Sequence, residues 1–225
     1  MARKKQKPPF SPAVMLVAVL IILVLGVFGV QVPDTIQEMF GIDTQQSQQQ
    51  TKPSTAKPVS STNPGPKELG PATFSAAEMK DSQKGWIDYH ALDSLDRATG
   101  ADALLKPAMV NTGTSANKDI RPPGFISGLE PTLHSRGHLI GRQLGGSGDD
   151  KRNLTTLYQT PVNTPYMTKY ENQIRQALDN GETIRYRVTP VYEGTALLCK
   201  QIDLEAKGLN KNTTIDFRVT IINER

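Results

Sequence analysis

The stretch His134-Ser135-Arg136-Gly137-His138-Leu139-Ile140-Gly141, with the polar run from Asn153 to Asn163 behind it, decides how this chain is interpreted. Two of the chain's three histidines lie here within five residues of each other, with an arginine and a glycine between them. Asn163 stands directly before Thr164-Pro165, a pair typical of a helix start. We interpret this region as the candidate active site.

The side chains of this region match the requirements of phosphodiester hydrolysis. That reaction needs a base to activate water, a divalent cation, and further positive groups that stabilise the transition state. His138 or His134 suits the base, because the ordinary pKa of histidine lies near neutrality. Asn163 offers an oxygen of the kind that Mg²⁺ accepts, and Arg136 and Arg175 are candidate phosphate contacts.

The segment from Thr164 to Asn180 has the strongest helix signal in the chain. Thr164 is predicted as the N-cap with proline at the first helical position, and Asn180-Gly181 as the stop. Glu171 and Arg175 then form an i,i+4 pair on one face. The helix start carries partial positive charge, which favours an anionic substrate near Asn163.

Each of these residues also has a purely structural interpretation. His134 and His138 would form a zinc-binding pair on a helix, but Gly137 and Gly141 argue against a helix there. Glu171 and Arg175 would form a solvated ion pair worth a few tenths of a kcal/mol. Asn163 would be an ordinary helix-flanking residue. The clustering of all of them within about forty residues favours the functional interpretation.

The rest of the domain combines alternating segments with separate helical ones. Asp93 to Leu105 has helical spacing and is predicted as a helix or turn region, while Asn111 to Gly128 is predicted as loop. Ser75 and Glu78 have the spacing of a capping box, which predicts a short helix start. The strand candidates are Trp86–Tyr89, Thr183–Thr189, Ala196–Ala206 and Thr214–Ile221. This pattern predicts an α+β fold.

The N-terminal part has the pattern of a membrane anchor. Residues 1–12 carry a basic cluster, and residues 13–32 contain no charged side chain. At ~1.5 Å per residue, such a helix approaches the ~30 Å thickness of the hydrocarbon layer. The flanking charge predicts a cytoplasmic N-terminus and an extracellular remainder. A cleaved signal peptide is the alternative, and it would leave a secreted protein.

Residues 33–70 are predicted to be a juxtamembrane segment and a disordered linker, and residues 71–225 the extracellular domain. From Thr44 onward the linker is rich in glutamine, serine, threonine, proline and lysine, which cannot bury enough apolar surface to order it. Cys199 is the single cysteine, which excludes an intramolecular disulfide and predicts a buried apolar residue. The net charge of +4 permits a polyanionic partner.

Several separated motifs resemble one enzyme family. Ser135-Arg136-Gly137-His138 resembles the Asp-Arg-Gly-His motif of the DNA/RNA non-specific endonucleases, the ββα-metal or His-Me finger nucleases. The string Arg136 to Gly141, followed by Gly145-Gly146, Asp150-x-Arg152-Asn153-Leu154 and Asn163, is similar to the streptococcal branch. That branch contains streptodornases and the membrane-anchored nuclease of DNA uptake. The likeness covers most of residues 86–225.

The resemblance implies a ββα-metal fold with a central antiparallel sheet and flanking helices, here preceded by one transmembrane helix. It implies His138 as the general base and Asn163 as the ligand of a single Mg²⁺, with Mn²⁺ as a substitute. Glu171 would orient a metal-bound water, Arg136 and Arg175 would contact the scissile phosphate, and Asn153 would position His138 or the substrate. The expected substrates are DNA and RNA, cut with little sequence preference to 5′-phosphate products.

Two departures from the family pattern leave alternatives open. Ser135 stands where the family has an aspartate, and the segment from Asn153 to Asn163 is one residue longer. The main hypothesis is an anchored extracellular nuclease. The first alternative is a DNA-binding or receptor module that kept the fold and lost turnover, and the second is a toxin-type nuclease. The chain identifies no protein partner.

Overall fold

The computed structural model describes residues 63–128 and 133–225. Within these ranges the chain forms eight strands and one regular α-helix, α1 (Thr168–Asp179). The strands are β1 (Lys67–Gly70), β2 (Trp86–Tyr89), β3 (Ala101–Leu105), β4 (His134–His138), β5 (Leu154–Tyr158), β6 (Ile184–Val191), β7 (Gln201–Gly208) and β8 (Asp216–Ile222). Short 3-10 turns occupy Pro107–Met109, Arg142–Leu144 and Lys151–Asn153.

Six of the strands form one antiparallel sheet in the order β1-β8-β7-β6-β3-β2, and β4 and β5 form a separate antiparallel hairpin. The longest pairing joins β6 to β7, from Ile184 opposite Gly208 to Val191 opposite Gln201. In the hairpin, His134 lies opposite Tyr158 and His138 opposite Leu154. The predicted α+β class with a large antiparallel sheet is confirmed.

One apolar core connects the large sheet, α1 and the hairpin. The buried side chains of α1 are Tyr170, Ile174, Ala177 and Leu178, which recur every three to four residues and form the predicted stripe. They belong to the same buried cluster as Tyr186 and Val188 of β6 and Leu157 of β5. The hairpin is therefore held against the sheet and the helix by a shared core.

Charged side chains occupy the alternate positions of β6, because successive residues of a strand point to opposite faces. Arg185 and Arg187 both pair with Asp102 of β3, and Arg187 also pairs with Glu78. The ring of Phe74 lies under both guanidinium groups, 4.9 Å from each. This outer face of the sheet lies away from α1 and is a structural ion-pair network.

Most sequence-predicted elements appear, with shifts at their ends. β2 has the predicted bounds, and β6 and β8 lie within two residues of theirs. β7 begins five residues later than predicted. The regular helix α1 begins at Thr168 rather than Pro165, after an irregular segment (Gln159–Met167) in which Thr160 and Thr164 keep extended backbone angles. Both precede a proline, which disfavours the helical conformation.

The helix alternative for Asp93–Leu105 is wrong. The first part is a turn in which the Asp93 carboxylate accepts hydrogen bonds from Leu95 and Arg97, and the last part is strand β3. Gly100, with φ at +157°, separates the two parts. β3 lies between β2 and β6, where both faces are covered, so its apolar run lacks the alternation of a half-buried strand.

Three smaller predictions have different outcomes. The capping box forms, since the Ser75 N–H and hydroxyl both donate to the Glu78 carboxylate, but residues 76–79 make only a turn. Residues 111–128 contain no helix or strand, as predicted. Cys199 is buried, and burial raises the pKa of its thiol to about 12, so it is the inert core residue expected.

The folded part of the chain begins earlier than the predicted boundary at Pro71. Lys67–Gly70 forms β1, which pairs with β8 although the sequence assigned it to the linker. The Asn63 side-chain amide donates to the carbonyls of Ile222 and Glu224, at 2.9 and 2.7 Å. Backbone pairing on a sheet edge does not require apolar side chains, so composition alone missed it. The proposed spacer therefore ends before Asn63.

The predicted anchor at residues 13–32 lies outside the described residues. Among residues 63–128 and 133–225, no helix has the length and apolar character needed to cross a bilayer.

Candidate active site

His138 ends β4 and has its imidazole held from one side. The Nε2 atom lies 3.0 Å from the Thr114 carbonyl oxygen. Because a carbonyl only accepts, the Nε2 nitrogen carries the proton and Nδ1 keeps its lone pair. Burial lowers the pKa of His138, and the nearby Arg142 charge lowers it further, against the opposing effect of the Thr114 carbonyl. The imidazole is therefore neutral at neutral pH and suited to accept a proton at Nδ1.

The loop from Thr114 to Ile126 (the β4-covering loop) runs along the face of β4 that carries His134, Arg136 and His138. Alternate residues of a strand share one face, so these three side chains meet the loop together. Arg136 donates from Nε to the Ile120 carbonyl at 2.7 Å and from Nη2 to the Lys118 carbonyl at 2.8 Å. The loop is thus attached to β4 at several points, and one of them is the bond that orients His138.

Arg136 is engaged differently from the phosphate contact that the resemblance implies. Two of its donor nitrogens bind the β4-covering loop, and its guanidinium carbon lies 4.3 Å from the centre of the Phe125 ring. In this structure the side chain holds the loop in place. It therefore supports His138 through Thr114, whatever further contact it makes with a substrate.

His134 has a structural environment. Its Nδ1 accepts a hydrogen bond from the Ile126 backbone N–H at 3.2 Å, and its ring packs edge-on against Tyr158 at 5.3 Å. Burial lowers its pKa, as does the Arg225 charge. Since the accepting nitrogen is already used, His134 is the weaker of the two candidate bases.

Asn153 is fully buried and positions the backbone that follows His138. Its side-chain oxygen accepts from the Ile140 N–H at 2.9 Å, and its side-chain nitrogen donates to the carbonyls of Ile140 and Ser147 at 3.1 and 2.8 Å. The Asn153 carbonyl also accepts from the Leu139 N–H. Of the two roles expected for Asn153, the geometry favours positioning His138 over contact with substrate.

Glu171 places a carboxyl group against the turn that follows β4. Burial raises its pKa to about 7, and the Gly141 N–H and the Gln143 amide lower it only in part. Glu171 as a whole is partly exposed, but its Oε1 atom is buried and has no hydrogen-bond partner within the described ranges. The buried hydroxyl of Tyr186 is also without one, and its pKa is raised by burial and by the Glu171 charge. An incompletely satisfied buried carboxyl indicates a functional group.

Asn163, the expected metal ligand, lies between β5 and α1. Its side-chain nitrogen donates to the Gln159 side-chain oxygen at 3.3 Å, and its backbone carbonyl accepts from the Thr168 hydroxyl. No hydrogen bond to its side-chain oxygen occurs in the described part of the chain. The same part contains no group of three His, Cys, Asp or Glu side chains that could hold a metal. The Asn163 side-chain oxygen is a hard oxygen donor of the type that Mg²⁺ accepts.

Arg175 does not pair with Glu171 as its spacing suggested. Its Nε donates to the Asp179 carboxylate at 2.9 and 3.0 Å, and its Nη1 donates to the Asn111 side chain at 2.8 Å. The i,i+4 partner lies on the C-terminal side, because the Glu171 carboxyl turns inward toward Gly141.

Sequence reasoning missed the contacts that Thr114, Gly141 and Gln143 make in the site. A β-carbon on Gly141 would lie 2.5 Å from Oε2 and 2.6 Å from Cδ of Glu171, so only glycine leaves room for the carboxyl there. Thr114 acts through its backbone, for which no side-chain signal exists. The Gly141 role had a visible signal, since it directly follows the histidine motif.

The sequence profile of the DNA/RNA non-specific endonuclease family matches residues 77–210, more than half of the chain. The match includes the hairpin, the β4-covering loop and α1. The chain therefore belongs to this family, and it is an enzyme that acts on the phosphodiester bonds of nucleic acids. No curated protein sequence matches the chain.

Solved nuclease structures share the fold at low sequence identity. NucA from Streptococcus agalactiae with magnesium ion bound aligns with a TM-score of 0.61 at 24% identity, covering 72% of this chain and 82% of that one. The Sda1 nuclease with bound zinc ion aligns with a TM-score of 0.60 at 18% identity, covering 71% and 90%. NucA with no metal bound gives 0.55 at 23% identity, covering 69% and 77%. These similarities confirm the ββα-metal nuclease architecture.

Proposed function

We propose that this enzyme is a metal-dependent endonuclease that cuts DNA, with RNA as a second substrate, to 5′-phosphate products with little sequence preference. The observation that carries the proposal is the orientation of the neutral His138 imidazole. Its Nε2–H donates to the Thr114 carbonyl, which leaves the lone pair of Nδ1 to accept a proton. A general base needs this combination of protonation state and orientation.

In the proposed reaction, His138 takes a proton from water at Nδ1 while the water oxygen attacks phosphorus. The bond from phosphorus to the 3′ oxygen breaks, the departing 3′ oxygen takes a proton from solvent to become a hydroxyl, and the phosphate stays on the 5′ side. Asn153 keeps His138 in place through the backbone of residues 139–140. Glu171 would orient a metal-bound water from the buried side of the site.

Asn163 would hold the metal through its side-chain oxygen. Mg²⁺ at this position would neutralise negative charge on the phosphate, and Mn²⁺ is the expected substitute. The magnesium ion in NucA and the zinc ion in Sda1 support a metal-dependent reaction on this fold. Arg136 and Arg175 remain proposed phosphate contacts, each through the guanidinium nitrogen that the bonds described above leave available.

The proposal is tested by degradation of supercoiled plasmid by the purified full-length protein, with Mg²⁺ and with EDTA. We expect cutting only with metal, and a loss of about 10²- to 10⁴-fold in His138→Ala, as for other general bases. Asn163→Ala should be similarly inactive. His134→Gln and Asn180→Ala are the matched controls and should remain active. A wild-type protein that binds DNA but stays inert with every divalent metal would instead identify the catalytically impaired binding module.

We also propose that residues 13–32 anchor the enzyme in the cell membrane, with residues 1–12 inside and the nuclease domain outside. The support is the uncharged run of residues 13–32 and the basic cluster before it. A structure named as an extracellular endonuclease is among the similar ones, which is consistent with export. Protease added to intact cells should remove the domain from the membrane fraction, whereas a cleaved signal peptide would place full activity in the medium.

A further inference from the structure

The 3-10 turn Arg142–Leu144 follows directly on β4 and brings one more arginine to the site. Arg142 is exposed, and its Nη1 donates to the Ser115 hydroxyl at 3.0 Å. Ser115 is the neighbour of Thr114, whose carbonyl holds His138. The Arg142 charge also acts on the His138 imidazole and lowers its pKa. Arg142 is therefore an exposed cation close to the proposed base.

Arg142 differs from the other two arginines of the site in what binds its guanidinium. Arg136 donates to two backbone carbonyls, and Arg175 is paired with the Asp179 carboxylate. Arg142 forms no ion pair with any carboxylate of the described ranges, and its one side-chain bond is to a neutral hydroxyl. A bond between guanidinium and a hydroxyl is weaker than a bidentate bond to phosphate, so an incoming phosphate can replace it.

The backbone under Arg142 is rigid, so the position of the side chain is defined by the fold. Leu144 is buried in the core, and Gly145 closes the turn in the left-handed region, at φ +94°. The Gln143 side-chain nitrogen donates to the Asn172 side chain of α1 at 3.0 Å. The turn is thus attached to both the core and the helix, while the Arg142 side chain is exposed.

We propose that Arg142 is a further substrate-binding residue that contacts a backbone phosphate of the nucleic acid at or next to the bond being cut. The inference rests on the proposed function of the site. When the nucleic acid binds, the Arg142 guanidinium gives up its hydrogen bond to the Ser115 hydroxyl. It donates instead to two oxygens of a phosphate, in the bidentate geometry that guanidinium groups form. The contact adds to those proposed for Arg136 and Arg175, and it requires no rearrangement of the β4-covering loop.

The test compares Arg142→Gln and Arg142→Lys with the wild-type full-length protein. We expect Arg142→Gln to lower kcat/KM by about 10²-fold. Arg142→Lys should lose less activity, because lysine keeps the positive charge but cannot donate the two parallel hydrogen bonds of a guanidinium. Removing the cation should also raise the pKa of His138, so the acid limb of the pH profile should move to higher pH. A residue with a merely structural role would not move that limb.

Binding provides an independent measurement. The affinity for a labelled DNA duplex is followed by anisotropy in EDTA at several salt concentrations, and loss of one phosphate contact should reduce the salt slope by about 1. Arg218→Gln on the outer face of the large sheet is the matched control for charge, and it should keep the wild-type slope. An unchanged slope and kcat/KM in Arg142→Gln would overturn the proposal. Because binding is measured without turnover, the salt slope tests the Arg142 contact even if the wild-type protein does not cut DNA.

Discussion

His138 acquires its chemical character from neighbours that lie far away in the sequence. Its Nε2 proton is held by the Thr114 carbonyl, 24 residues earlier in the chain, and its pKa is lowered first by burial and then by Arg142. The backbone after it is fixed by Asn153, whose side chain makes three buried hydrogen bonds. A histidine in the same motif without this surrounding would titrate near its ordinary value of about 6.5.

The direction of this pKa shift predicts the pH profile. Protonated His138 cannot accept a proton from water, so activity is lost as the pH falls through its pKa. Because that pKa is lowered, we expect the midpoint of the acid limb of kcat/KM to lie below about 6.5. His134→Gln should leave the limb in place, since His134 only accepts from the Ile126 N–H. A midpoint above the ordinary histidine pKa would contradict the assignment of His138 as the base. A midpoint that shifts in His134→Gln would contradict it as well.

Gly141 is predicted to act on the reaction through Glu171. A methyl group at Gly141 would collide with the Glu171 carboxyl, so Gly141→Ala should displace it and lower kcat about 10- to 100-fold, as for other positioning groups. In a Glu171→Ala background the collision is absent, and the same substitution should cost little more. Equal losses in both backgrounds would show a general folding defect instead.

Gly208→Ala is the matched control for Gly141→Ala. Its β-carbon would collide with the Thr213 side chain, beside the end of β7 and outside the proposed site. It should lower thermal stability while leaving the kcat of the folded protein unchanged. The comparison therefore separates a packing defect from loss of the Glu171 position.

At the scale of elements, the hairpin β4–β5 and helix α1 supply the site, and a loop completes it. β4 presents His134, Arg136 and His138 on one face, and the β4-covering loop binds all three through its backbone. Arg136 therefore has a role before any substrate arrives, since it holds the segment that orients His138. The irregular segment before α1 carries Asn163, the proposed metal ligand.

The edge strand β1 is predicted to contribute to stability despite its exposed side chains. It pairs with β8 from Lys67 opposite Thr220 to Gly70 opposite Arg218, and Asn63 adds two side-chain bonds to the C-terminal residues. At about 0.5–1.5 kcal/mol net for each hydrogen bond, their loss should cost roughly 2 kcal/mol. A chain that starts at Pro71 should then melt about 4–8 °C below one that starts at Asn63.

This prediction is measured by circular dichroism on the two fragments, with the full-length protein as reference. The fragment from Asn63 should match the reference, because it retains both β1 and the Asn63 bonds. Equal melting temperatures for the two fragments would mean that β1 is dispensable and that the boundary inferred from composition, at Pro71, is adequate in practice.

At the scale of the whole molecule, the proposed active site is supported by a single core. Leu139 and Ile140 follow directly on His138 and are buried in the cluster that contains Ile174 of α1 and Tyr186 of β6. The ion-pair network of Asp102, Arg185 and Arg187 lies on the opposite face of the large sheet. The sheet thus separates a structural charged face from the face that supports the chemistry.

Local sequence patterns were sufficient for much of this organisation. Alternation identified β6 and β8, and the spacing of apolar residues identified the buried face of α1. The motif around His138, with Asn163, Glu171 and Arg175 behind it, identified the family. These signals are readable because the period of a strand or helix is set by neighbouring residues alone.

Only the tertiary structure decided which groups these residues bind. The Thr114 carbonyl on His138, the loop carbonyls on Arg136, the Glu171 carboxyl against Gly141 and the pairing of β1 with β8 all join distant parts of the chain. Backbone groups are the same at every position, so the sequence carries no sign of which carbonyl a side chain will meet. That choice is made when the core packs and brings the loop, the hairpin and the helix together.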